Sequence, residues 1–285
     1  MQILTRQSPA KLNLTLRVTG VRPDGFHELE SLVTQINLCD TVSVAAHEDG
    51  CYALDCDEPT LPCDGSNLVL RAARALNQAA GTNQGVHIGL KKRIPAGAGL
   101  GGGSSNAATT LALLNELWNV GLGKADLVRL GAELGSDVPL FCCSPLCVIR
   151  GRGEQVEELG APAALWVALV LPVIHCSTAA VYAAWDQLRQ QPPRPSLAEV
   201  LAARGSASRM MELLFNDLEA AAFRAVPSLA ELAAQIADAA GQPVRLTGSG
   251  SALFRLFDNP QAAARFALTV GSEVGVRSDV VALRA

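Results

Sequence analysis

A glycine-rich segment at residues 95–108, with the sequence PAGAGLGGGSSNAA, constrains the fold of this chain more than any other part of it. Five of the seven residues at 97–103 are glycine, and an apolar helical pattern follows to about Trp118. A glycine-rich loop at a helix N-terminus lets backbone N–H groups approach a phosphate, and the helix dipole adds to the attraction. We therefore predict an anion-binding loop in which Ser104 or Ser105 caps the helix and is available to phosphate or Mg²⁺. A tight strand-to-helix turn is the alternative interpretation.

Three well-known kinds of phosphate-binding loop do not fit this segment. A Walker A loop needs a lysine directly before a serine or threonine, and no lysine precedes Ser104. Gly97, Gly99 and Gly102 match the spacing of a dinucleotide-binding fingerprint, but a second helical pattern follows where that fold needs a strand ending in an acidic residue. The HRD and DFG motifs of protein kinases do not occur in the chain. The segment therefore belongs to another class of anion-binding loop.

The alternating pattern near the N-terminus predicts a half-buried strand over residues 8–20. Leu12, Leu14 and Leu16 point to one side of this strand. Lys11 and Asn13 point to the other side and lie about 7 Å apart. Two polar side chains are thereby expected to share one face.

Strand and helix patterns mix along the rest of the chain without regular β–α–β alternation, so the expected fold class is α+β. Further strands are predicted at residues 26–38, 42–46, 86–94, 140–149, 165–171, 244–246, 252–257 and 276–283, and helices at 67–80, 104–118, 125–134, 177–191, 197–203, 208–225, 228–240 and 260–270. Residues 50–65 are predicted to form a loop or irregular hairpin, and residues 192–195 a rigid linker. A polar turn at residues 151–160 is the predicted boundary, which gives domains at 1–155 and 156–285.

The composition argues against several functional classes. With 49% hydrophobic and 18% charged residues among 285, the chain has enough apolar surface to form a core. A formal net charge of −4 argues against nucleic-acid binding through a basic surface. No apolar run approaches the roughly 18 residues of a membrane span, and the N-terminus has no apolar stretch long enough for a signal peptide. We therefore expect a soluble protein of the cytoplasm with no nucleic-acid or membrane partner.

The eight cysteines are expected to be reduced thiols, because a chain of this length forms a core without disulfides. Cys142, Cys143 and Cys147, with His175 and Cys176, are the one grouping that could resemble a metal site. Their spacing matches no paired CxxC pattern, and they lie in apolar segments. We therefore predict that they are small buried side chains and that no protein residues form a dedicated metal site.

Three segments are together similar to the three motifs of the GHMP kinase superfamily. They are PAKLNLTLRVTGVRPDGFHEL at residues 9–29, the glycine-rich segment, and LTGSGSALF at residues 246–254. The first resembles, in detail, the 4-diphosphocytidyl-2-C-methyl-D-erythritol kinase family within that superfamily. The resemblance implies a two-domain GHMP kinase fold, in which an N-terminal ATP-binding domain with a left-handed β–α–β crossover precedes a ferredoxin-like C-terminal domain. It also implies that ATP, Mg²⁺ and the substrate bind in a cleft between the domains.

This resemblance implies a small-molecule kinase. Its reaction would be ATP-dependent phosphorylation of the 2-hydroxyl of 4-diphosphocytidyl-2-C-methyl-D-erythritol, in the non-mevalonate route to isoprenoid precursors. A GHMP kinase for another alcohol, such as mevalonate or homoserine, is the nearest alternative. A catalytically silent GHMP-fold sensor of nucleotide and metabolite is a second one. A monomer or a weak homodimer is expected in each case.

The resemblance assigns the chemistry to Asp137 and Lys11. From the residues alone, Asp137 could cap a helix or turn, and Lys11 could be a solvated strand lysine. The resemblance makes Asp137 the base that accepts the proton of the substrate hydroxyl. Lys11 would face this base, keep it ionised and stabilise charge on the transferred phosphoryl group. Asn13 would bind the substrate hydroxyls or diphosphate.

The resemblance also places a cytosine site at Phe26 and His27. Phe26 would stack on the base where the family often has tyrosine, and His27 would bond the edge of the base. Tyr182, four residues after Thr178, would form the second wall, although a core position on a helix face is an equal interpretation. Both Thr178 and Tyr182 are expected to contact the substrate.

The remaining predicted contacts concern the nucleotide and the third motif. The resemblance assigns to the nucleotide Asn67, Lys92, Pro95, Gly97, Gly99, Gly101, Gly102, Gly103, Ser104 and Ser105. The third motif would close on the phosphate and substrate region through Thr247, Gly248, Ser249 and Gly250; a hairpin turn is the alternative there. The FNDLE stretch at residues 215–219 also fits the family, and we assign it packing and no chemistry.

Overall fold

The computed structural model describes residues 2–188 and 192–285, and these residues form two β-sheets with helices packed against them. The first sheet has eight strands, and its longest strand, β3, pairs with four others. The bounds are β1 Ile3–Asn13, β2 Thr15–Val21, β3 His27–His47, β4 Tyr52–Cys56, β5 Gly85–Lys91, β6 Leu146–Gly151, β7 Gln155–Gly160 and β9 Phe215–Asn216. The strands that pair with β3 are β1, β2, β5 and β6.

The N-terminal strand predictions need two corrections. The single strand expected over residues 8–20 is two strands, β1 and β2, which are separated at Leu14. Both pair with β3, and the Leu14 N–H donates to the carbonyl of Leu32. The two strands expected between residues 26 and 46 are one continuous strand, β3. The expectation of a half-buried face is also wrong, since Lys11 and Asn13 are only 5% and 4% exposed. The glycine-rich loop lies against that face, and the Lys11 N–H donates to the Leu100 carbonyl at 3.0 Å.

Three helices accompany the first sheet: α1 Leu68–Ala80, α2 Gly102–Leu117 and α3 Lys124–Leu134. Helix α1 agrees with its sequence signals, because Asn67 caps its start and Gly81 ends it in the left-handed conformation. Helix α2 begins earlier than predicted, and neither Ser104 nor Ser105 is its cap. The cap is Gly101, which has a φ of 70° and no side chain to bond the helix. The first turn of α2 therefore begins with two loop glycines, Gly102 and Gly103, before Ser104.

The second sheet contains β8 Trp166–Val170, β10 Arg245–Leu246, β11 Leu253–Phe257 and β12 Ser278–Ala282 in the spatial order β10-β11-β8-β12. All its pairings are antiparallel. Helices separate β8 from β10, and one helix separates β11 from β12. This order of elements is that of a ferredoxin-like β–α–β–β–α–β domain. The helices are α4 Thr178–Trp185, α5 Leu197–Ala202, α6 Ala207–Leu213, α7 Glu219–Ala225, α8 Pro227–Ala240 and α9 Pro260–Thr269.

Several predicted elements in the second half differ from the structure. The helix expected over residues 208–225 is broken into α6, β9 and α7, because β9 pairs with β2. The Asn216 side chain accepts from the Leu218 N–H, and the Asp217 side chain accepts from the Val18 N–H of β2. The helix expected over residues 177–191 ends at Trp185, and residues 189–191 lie outside the described residues.

Two segments predicted as loops contain strands. The polar turn expected at 151–160 contains β7, which pairs with β6, and the loop expected at 50–65 contains β4, which pairs with β5. The division of the chain at residue 155 stays a prediction.

A shared apolar core joins the two sheets. One cluster of buried residues contains Leu12, Leu32 and Ile36 from the first sheet together with Leu169 and Phe254 from the second. Burying apolar surface contributes about 25 cal/mol per Å², so this cluster holds the sheets in a fixed relation. Within residues 2–188 and 192–285, the helices are too short or too polar to cross a membrane.

Candidate active site

The glycine-rich loop forms one side of a cavity of about 440 Å³, called here the glycine-loop cavity. Because α2 begins at Gly102, the N–H groups of its first turn have no partner within the helix and are available to an anion. Most of the residues predicted to contact nucleotide line this cavity: Asn67, Lys92, Pro95, Gly97, Gly99, Gly101, Gly102, Gly103 and Ser104. Ser105 does not line it, because its buried hydroxyl accepts a hydrogen bond from Ser8 at 2.7 Å.

Two of these side chains are already engaged by the protein. Asn67 caps α1 through its carbonyl oxygen, which accepts from Val69 N–H at 3.1 Å, and its amide donates to the Pro62 carbonyl at 2.7 Å. The Lys92 ammonium pairs with Asp40, which is fully buried. The described contacts therefore give Asn67 and Lys92 structural roles at the cavity wall, and their contacts with a nucleotide stay predictions.

Asp40 is a buried carboxylate that organises the start of the loop. It accepts hydrogen bonds from the N–H groups of Arg93 at 2.7 Å and Ile94 at 2.9 Å, besides its ion pair with Lys92. The side chain of Asn106 on α2 donates to the same carboxylate at 3.0 Å. A buried charge is tolerated when it is paired and hydrogen-bonded, and here those bonds tie the end of β5 to α2.

The third motif interlocks with the glycine-rich loop, backbone against backbone. A Cβ added to Gly250 would lie 2.0 Å from the Gly99 nitrogen, and one added to Gly99 would lie 2.5 Å from the Thr247 carbonyl oxygen. The Ala252 N–H also donates to the Ala98 carbonyl at 3.1 Å. Only glycine allows this approach, so the two motifs that are about 150 residues apart in sequence form one surface.

The members of the third motif differ in what they face. Gly248 and Ser249 line a second cavity, and the Ser249 hydroxyl is hydrogen-bonded to that of Thr178 at 2.8 Å. Thr247 is fully buried, and its hydroxyl accepts from the Asn13 N–H at 2.9 Å. Gly250 packs on the glycine-rich loop. Thr247 and Gly250 therefore hold the motif in place.

The FNDLE stretch does more than pack, which corrects the sequence interpretation. The amide of Asn216 donates to the carbonyls of Gly248 at 2.8 Å and Leu246 at 3.1 Å, and its oxygen accepts from Leu218 N–H at 2.9 Å. The Glu219 carboxylate accepts from the Leu246 N–H at 2.8 Å. Through these hydrogen bonds, the FNDLE stretch holds the backbone of the third motif in position.

Replacing Asn216 should loosen the third motif. The Asn216→Leu variant leaves two buried carbonyls without their donor, which costs about 1–3 kcal/mol for each unsatisfied group. We expect a fall of about 2–5 kcal/mol in the free energy of unfolding, measured by urea denaturation. We also expect an increased KM for the substrate that fills the second cavity, measured under conditions in which the variant is folded.

Asn115→Leu is the matched control for Asn216→Leu. The Asn115 side chain also bonds backbone groups: it donates to the Leu122 carbonyl at 3.0 Å and accepts from the Leu122 N–H at 2.9 Å. Asn115 lines neither cavity. We expect it to lose stability with an unchanged KM. Equal KM values in the two variants would contradict the positioning role of Asn216.

The second cavity, called here the Asp137 cavity, has a volume of about 650 Å³. It gathers residues from the first strands, from the turn after α3, from the β6–β7 hairpin, from α4 and from the third motif. Its polar and aromatic lining is Lys11, Asn13, Phe26, His27, Asp137, Arg152, Thr178, Tyr182, Asp186 and Ser249. Gly99 and Gly101 line both cavities, so the two spaces meet at the glycine-rich loop.

Lys11 and Asp137 interact electrostatically across the Asp137 cavity. Burial lowers the pKa of the Lys11 ammonium below its ordinary value, and the charge of Asp137 partly opposes that shift. No direct ion pair joins the two among the described residues; the Lys11 ammonium donates instead to the side-chain oxygen of Asn13. The amide of Asn13 donates in turn to Ser31 at 2.8 Å. These bonds hold the Lys11 ammonium in the wall of the cavity that Asp137 also lines.

The aromatic residues form the far wall of the Asp137 cavity. His27 stacks on Tyr182 with ring centroids 4.5 Å apart, and the Trp185 ring stands nearly perpendicular to His27 with centroids 5.3 Å apart. Burial, with a further contribution from Asp137, raises the pKa of Tyr182 to about 12. Phe26 is 52% exposed, and the Arg152 guanidinium lies 5.0 Å from its ring centroid. An exposed aromatic ring beside stacked rings is suited to bind a flat, uncharged heterocycle.

Models of both domains of one family match this chain. The GHMP kinases N terminal domain matches residues 67–144, and the GHMP kinases C terminal domain matches residues 197–276. A 4-diphosphocytidyl-2-C-methyl-D-erythritol kinase of Brevibacillus brevis is 39% identical over 252 residues, which cover 88% of this chain and 86% of the relative. The chain belongs to the 4-diphosphocytidyl-2-C-methyl-D-erythritol kinase family of GHMP kinases. As a GHMP kinase it uses ATP as its phosphate donor.

Solved structures support the same family and fold. The crystal structure of a 4-(cytidine 5′-diphospho)-2C-methyl-D-erythritol kinase superposes with a TM-score of 0.82 at 34% identity, covering 99% of this chain and all of that one. A homoserine kinase from Cytophaga hutchinsonii has a TM-score of 0.74 at 18% identity, covering 100% of this chain and 95% of its own. At that identity the second likeness concerns the fold alone. The predicted α+β, two-domain GHMP kinase fold is confirmed.

Sequence reasoning missed three residues that this kinase places at the site. Arg152 and Asp186 line the Asp137 cavity, and Asn216 holds the third motif. The signal for Asp186 was its spacing, since it follows Tyr182 by one helical turn. Arg152 lies between Gly151 and Gly153 in the β6–β7 hairpin, and a Cβ on Gly153 would lie 3.3 Å from an Asp137 carboxylate oxygen. No local pattern distinguishes that hairpin from an ordinary polar turn.

Proposed function

We propose that this protein transfers the γ-phosphoryl group of ATP to the 2-hydroxyl of 4-diphosphocytidyl-2-C-methyl-D-erythritol, in the non-mevalonate isoprenoid precursor pathway. One observation supports it most strongly. A cavity lined by an anion-binding helix start meets, at Gly99 and Gly101, a second cavity that contains a carboxylate and a buried ammonium. The names of the related kinases supply the identity of the donor and acceptor.

The proposed transfer is an in-line displacement at the γ-phosphorus. The acceptor oxygen forms a bond to phosphorus, the bond from phosphorus to the β-phosphate oxygen breaks, and ADP leaves. Asp137 accepts the proton of the acceptor hydroxyl, which a positioned carboxylate accelerates by about 10²–10⁴-fold. Lys11 stabilises negative charge on the moving phosphoryl group, and its buried position strengthens that interaction.

The cytidine end of the acceptor is proposed to bind at the aromatic wall. Phe26 offers an exposed face on which a base can stack, with the Arg152 guanidinium on the same ring. His27 reads the edge of the base, and Thr178 and Ser249 present hydroxyls toward the diphosphate. Phe26 stands where the family often has tyrosine, so stacking here comes without a phenol hydroxyl. Tyr182 stacks on His27 and lines the same cavity, and its contact with the base as a second wall stays a prediction.

Mg²⁺ is proposed to accompany ATP. The described residues contain no group of three or more acidic, histidine or cysteine side chains that could hold a metal. A site with so few possible protein ligands suits Mg²⁺, because Mg²⁺ takes few protein ligands and fills the rest of its coordination shell with phosphate oxygens and water. The hydroxyl of Ser104, in the wall of the glycine-loop cavity, is available to it. Bound Mg²⁺ supplies positive charge to the phosphates.

The working form is proposed to be a cytoplasmic monomer or weak homodimer without nucleic-acid or membrane partners. All eight cysteines are free thiols in the structure, as expected for a reducing compartment. Burial raises the pKa of Cys142 and of Cys147 to about 11, so these thiols are inert at neutral pH. Light scattering on a size-exclusion column checks the oligomeric state.

Release of ADP with three acceptors tests the proposed function. 4-Diphosphocytidyl-2-C-methyl-D-erythritol, mevalonate and homoserine are compared at equal concentration with MgATP. We expect turnover with the cytidine compound alone. Turnover with mevalonate or homoserine would favour a GHMP kinase for another alcohol. Saturable binding of ATP and the cytidine compound without any turnover would favour a sensor.

A further inference from the structure

His27 and Asp186 form a hydrogen-bonded pair at the edge of the Asp137 cavity. The Nε2 atom of His27 lies 2.7 Å from a carboxylate oxygen of Asp186. The His27 side chain is 10% exposed, while that of Asp186 is 50% exposed. Asp186 is the C-terminal cap of α4, and its own N–H donates to the Tyr182 carbonyl at 2.9 Å. The carboxylate is therefore positioned by the same helix that carries Tyr182.

The ring of His27 cannot turn freely. Tyr182 stacks on one face with ring centroids 4.5 Å apart, and the perpendicular ring of Trp185 packs against His27 with centroids 5.3 Å apart. An ionised carboxylate only accepts hydrogen bonds, so the ring nitrogen that faces it must carry a proton. In a neutral imidazole the other nitrogen then has no proton and is an acceptor. Among the described residues, Nδ1 of His27 has no hydrogen-bond partner.

An acceptor nitrogen that faces position C4 of the base distinguishes the two common pyrimidines. Cytosine carries an exocyclic amine at C4, which is a hydrogen-bond donor, whereas uracil carries a carbonyl oxygen there, which is an acceptor. We propose that Asp186 is a positioning residue that fixes the tautomer of His27 and thereby makes the Asp137 cavity select a cytidine diphosphate over a uridine diphosphate. This inference rests on the proposed function, since it assumes that His27 meets the edge of the base.

The Asp186→Asn variant tests the proposal with the full-length protein. An amide can accept from Nε2–H through its oxygen or donate to Nε2 through its nitrogen, so asparagine permits both tautomers of His27. Selectivity is the ratio of kcat/KM for 4-diphosphocytidyl-2-C-methyl-D-erythritol to that for its uridine counterpart, measured at about pH 8, where imidazole is ordinarily neutral. We expect the variant to lower this ratio by about tenfold or more, mainly through a poorer cytidine substrate.

Two further measurements separate this proposal from the proposed function. Long-range proton–nitrogen NMR of the imidazoles should show Nε2–H for His27 in the native protein and a mixture in Asp186→Asn. Titrations with CDP and UDP should give the same change in selectivity without any turnover. If the native protein phosphorylates neither compound, the proposed function fails while the CDP/UDP ratio and the NMR spectrum still decide the role of Asp186.

Asp55→Asn is the matched control. Asp55 pairs with the Nε2 atom of His87 at 2.8 Å, outside the Asp137 cavity. We expect that variant to keep the native cytidine/uridine ratio. An Asp186→Asn protein that is folded and also keeps the native ratio would overturn the proposal. So would a native spectrum in which His27 carries its proton on Nδ1.

Discussion

The Asp137→Asn variant should bind both substrates as the native enzyme does and transfer phosphoryl groups about 10²–10⁴ times more slowly. Asparagine has the same shape as aspartate and cannot accept the proton of the acceptor hydroxyl. Gly153 packs against the side chain, so an isosteric replacement fits the same space. The loss should appear in kcat, with the dissociation constants of ATP and the cytidine substrate unchanged within about twofold.

Asp126→Asn is a suitable control for this variant. Asp126 lies in the first turn of α3, is paired with Arg129 on the surface and lines neither cavity. It should retain native kcat. If Asp137→Asn retained kcat within tenfold of the native value, Asp137 would not be the base, and the geometry of the cavity would need another acceptor for the proton.

The Lys11→Met variant should lose activity without losing stability. Removing a charge that stabilises the moving phosphoryl group costs about 10²–10³-fold in kcat. The lysine is 5% exposed, and its lowered pKa shows that the fold disfavours its charge. Methionine fills a similar volume without that cost, although it leaves the Asn13 oxygen without its donor. We expect the free energy of unfolding to equal the native value or to exceed it by up to about 2 kcal/mol.

The stability difference between Lys11→Met and native protein should depend on pH in a defined direction. The unfolded lysine titrates near its ordinary value of 10.5, and the folded one titrates lower. At pH values below the pKa of folded Lys11, the charged side chain lowers the free energy of unfolding of the native protein by its full amount. This destabilisation disappears as the pH rises from the pKa of folded Lys11 to 10.5. Urea denaturation of both proteins at several pH values measures this. A variant less stable than native at neutral pH would show that Lys11 has a structural role.

The glycine-rich loop has features that the local sequence predicts and one, its helix cap, that the local sequence does not predict. Its place before a helix and its suitability for an anion were predicted from the spacing of glycine and the apolar pattern behind it. The cap was predicted wrongly, because serine is a common cap residue and the loop offered two of them. The structure uses Gly101 in a left-handed conformation, since only a residue without Cβ fits beside Phe141 and Lys11. That constraint comes from β1 and from the turn after α3, which are distant in sequence.

The residues of the candidate site are likewise of two kinds: those that the sequence predicts and those that only the tertiary structure brings to the site. Lys11 and Asn13 were found because they lie in a motif, Asp137 was found through the family resemblance, and the structure brings all three to one cavity. Asp186 was missed, and Asn216 in the FNDLE stretch was assigned packing alone, because each bonds a partner about 30 or more residues away in sequence. Helix 208–225 was mispredicted for the same reason: apolar periodicity there gives no sign that Asn216 bonds two carbonyls of the third motif. Long-range hydrogen bonds of this kind are set by tertiary packing alone.

Phosphorus NMR of the reaction mixture tests the central claim most directly. The purified protein is incubated with MgATP and 4-diphosphocytidyl-2-C-methyl-D-erythritol, with Asp137→Asn as the background. We predict that the γ-phosphate resonance of ATP is replaced by a new phosphomonoester resonance, coupled to the carbon skeleton at the 2-position, while the diphosphate resonances of the cytidine compound persist. Conversion of ATP to ADP and inorganic phosphate without a phosphomonoester, or an unchanged spectrum, would contradict the account.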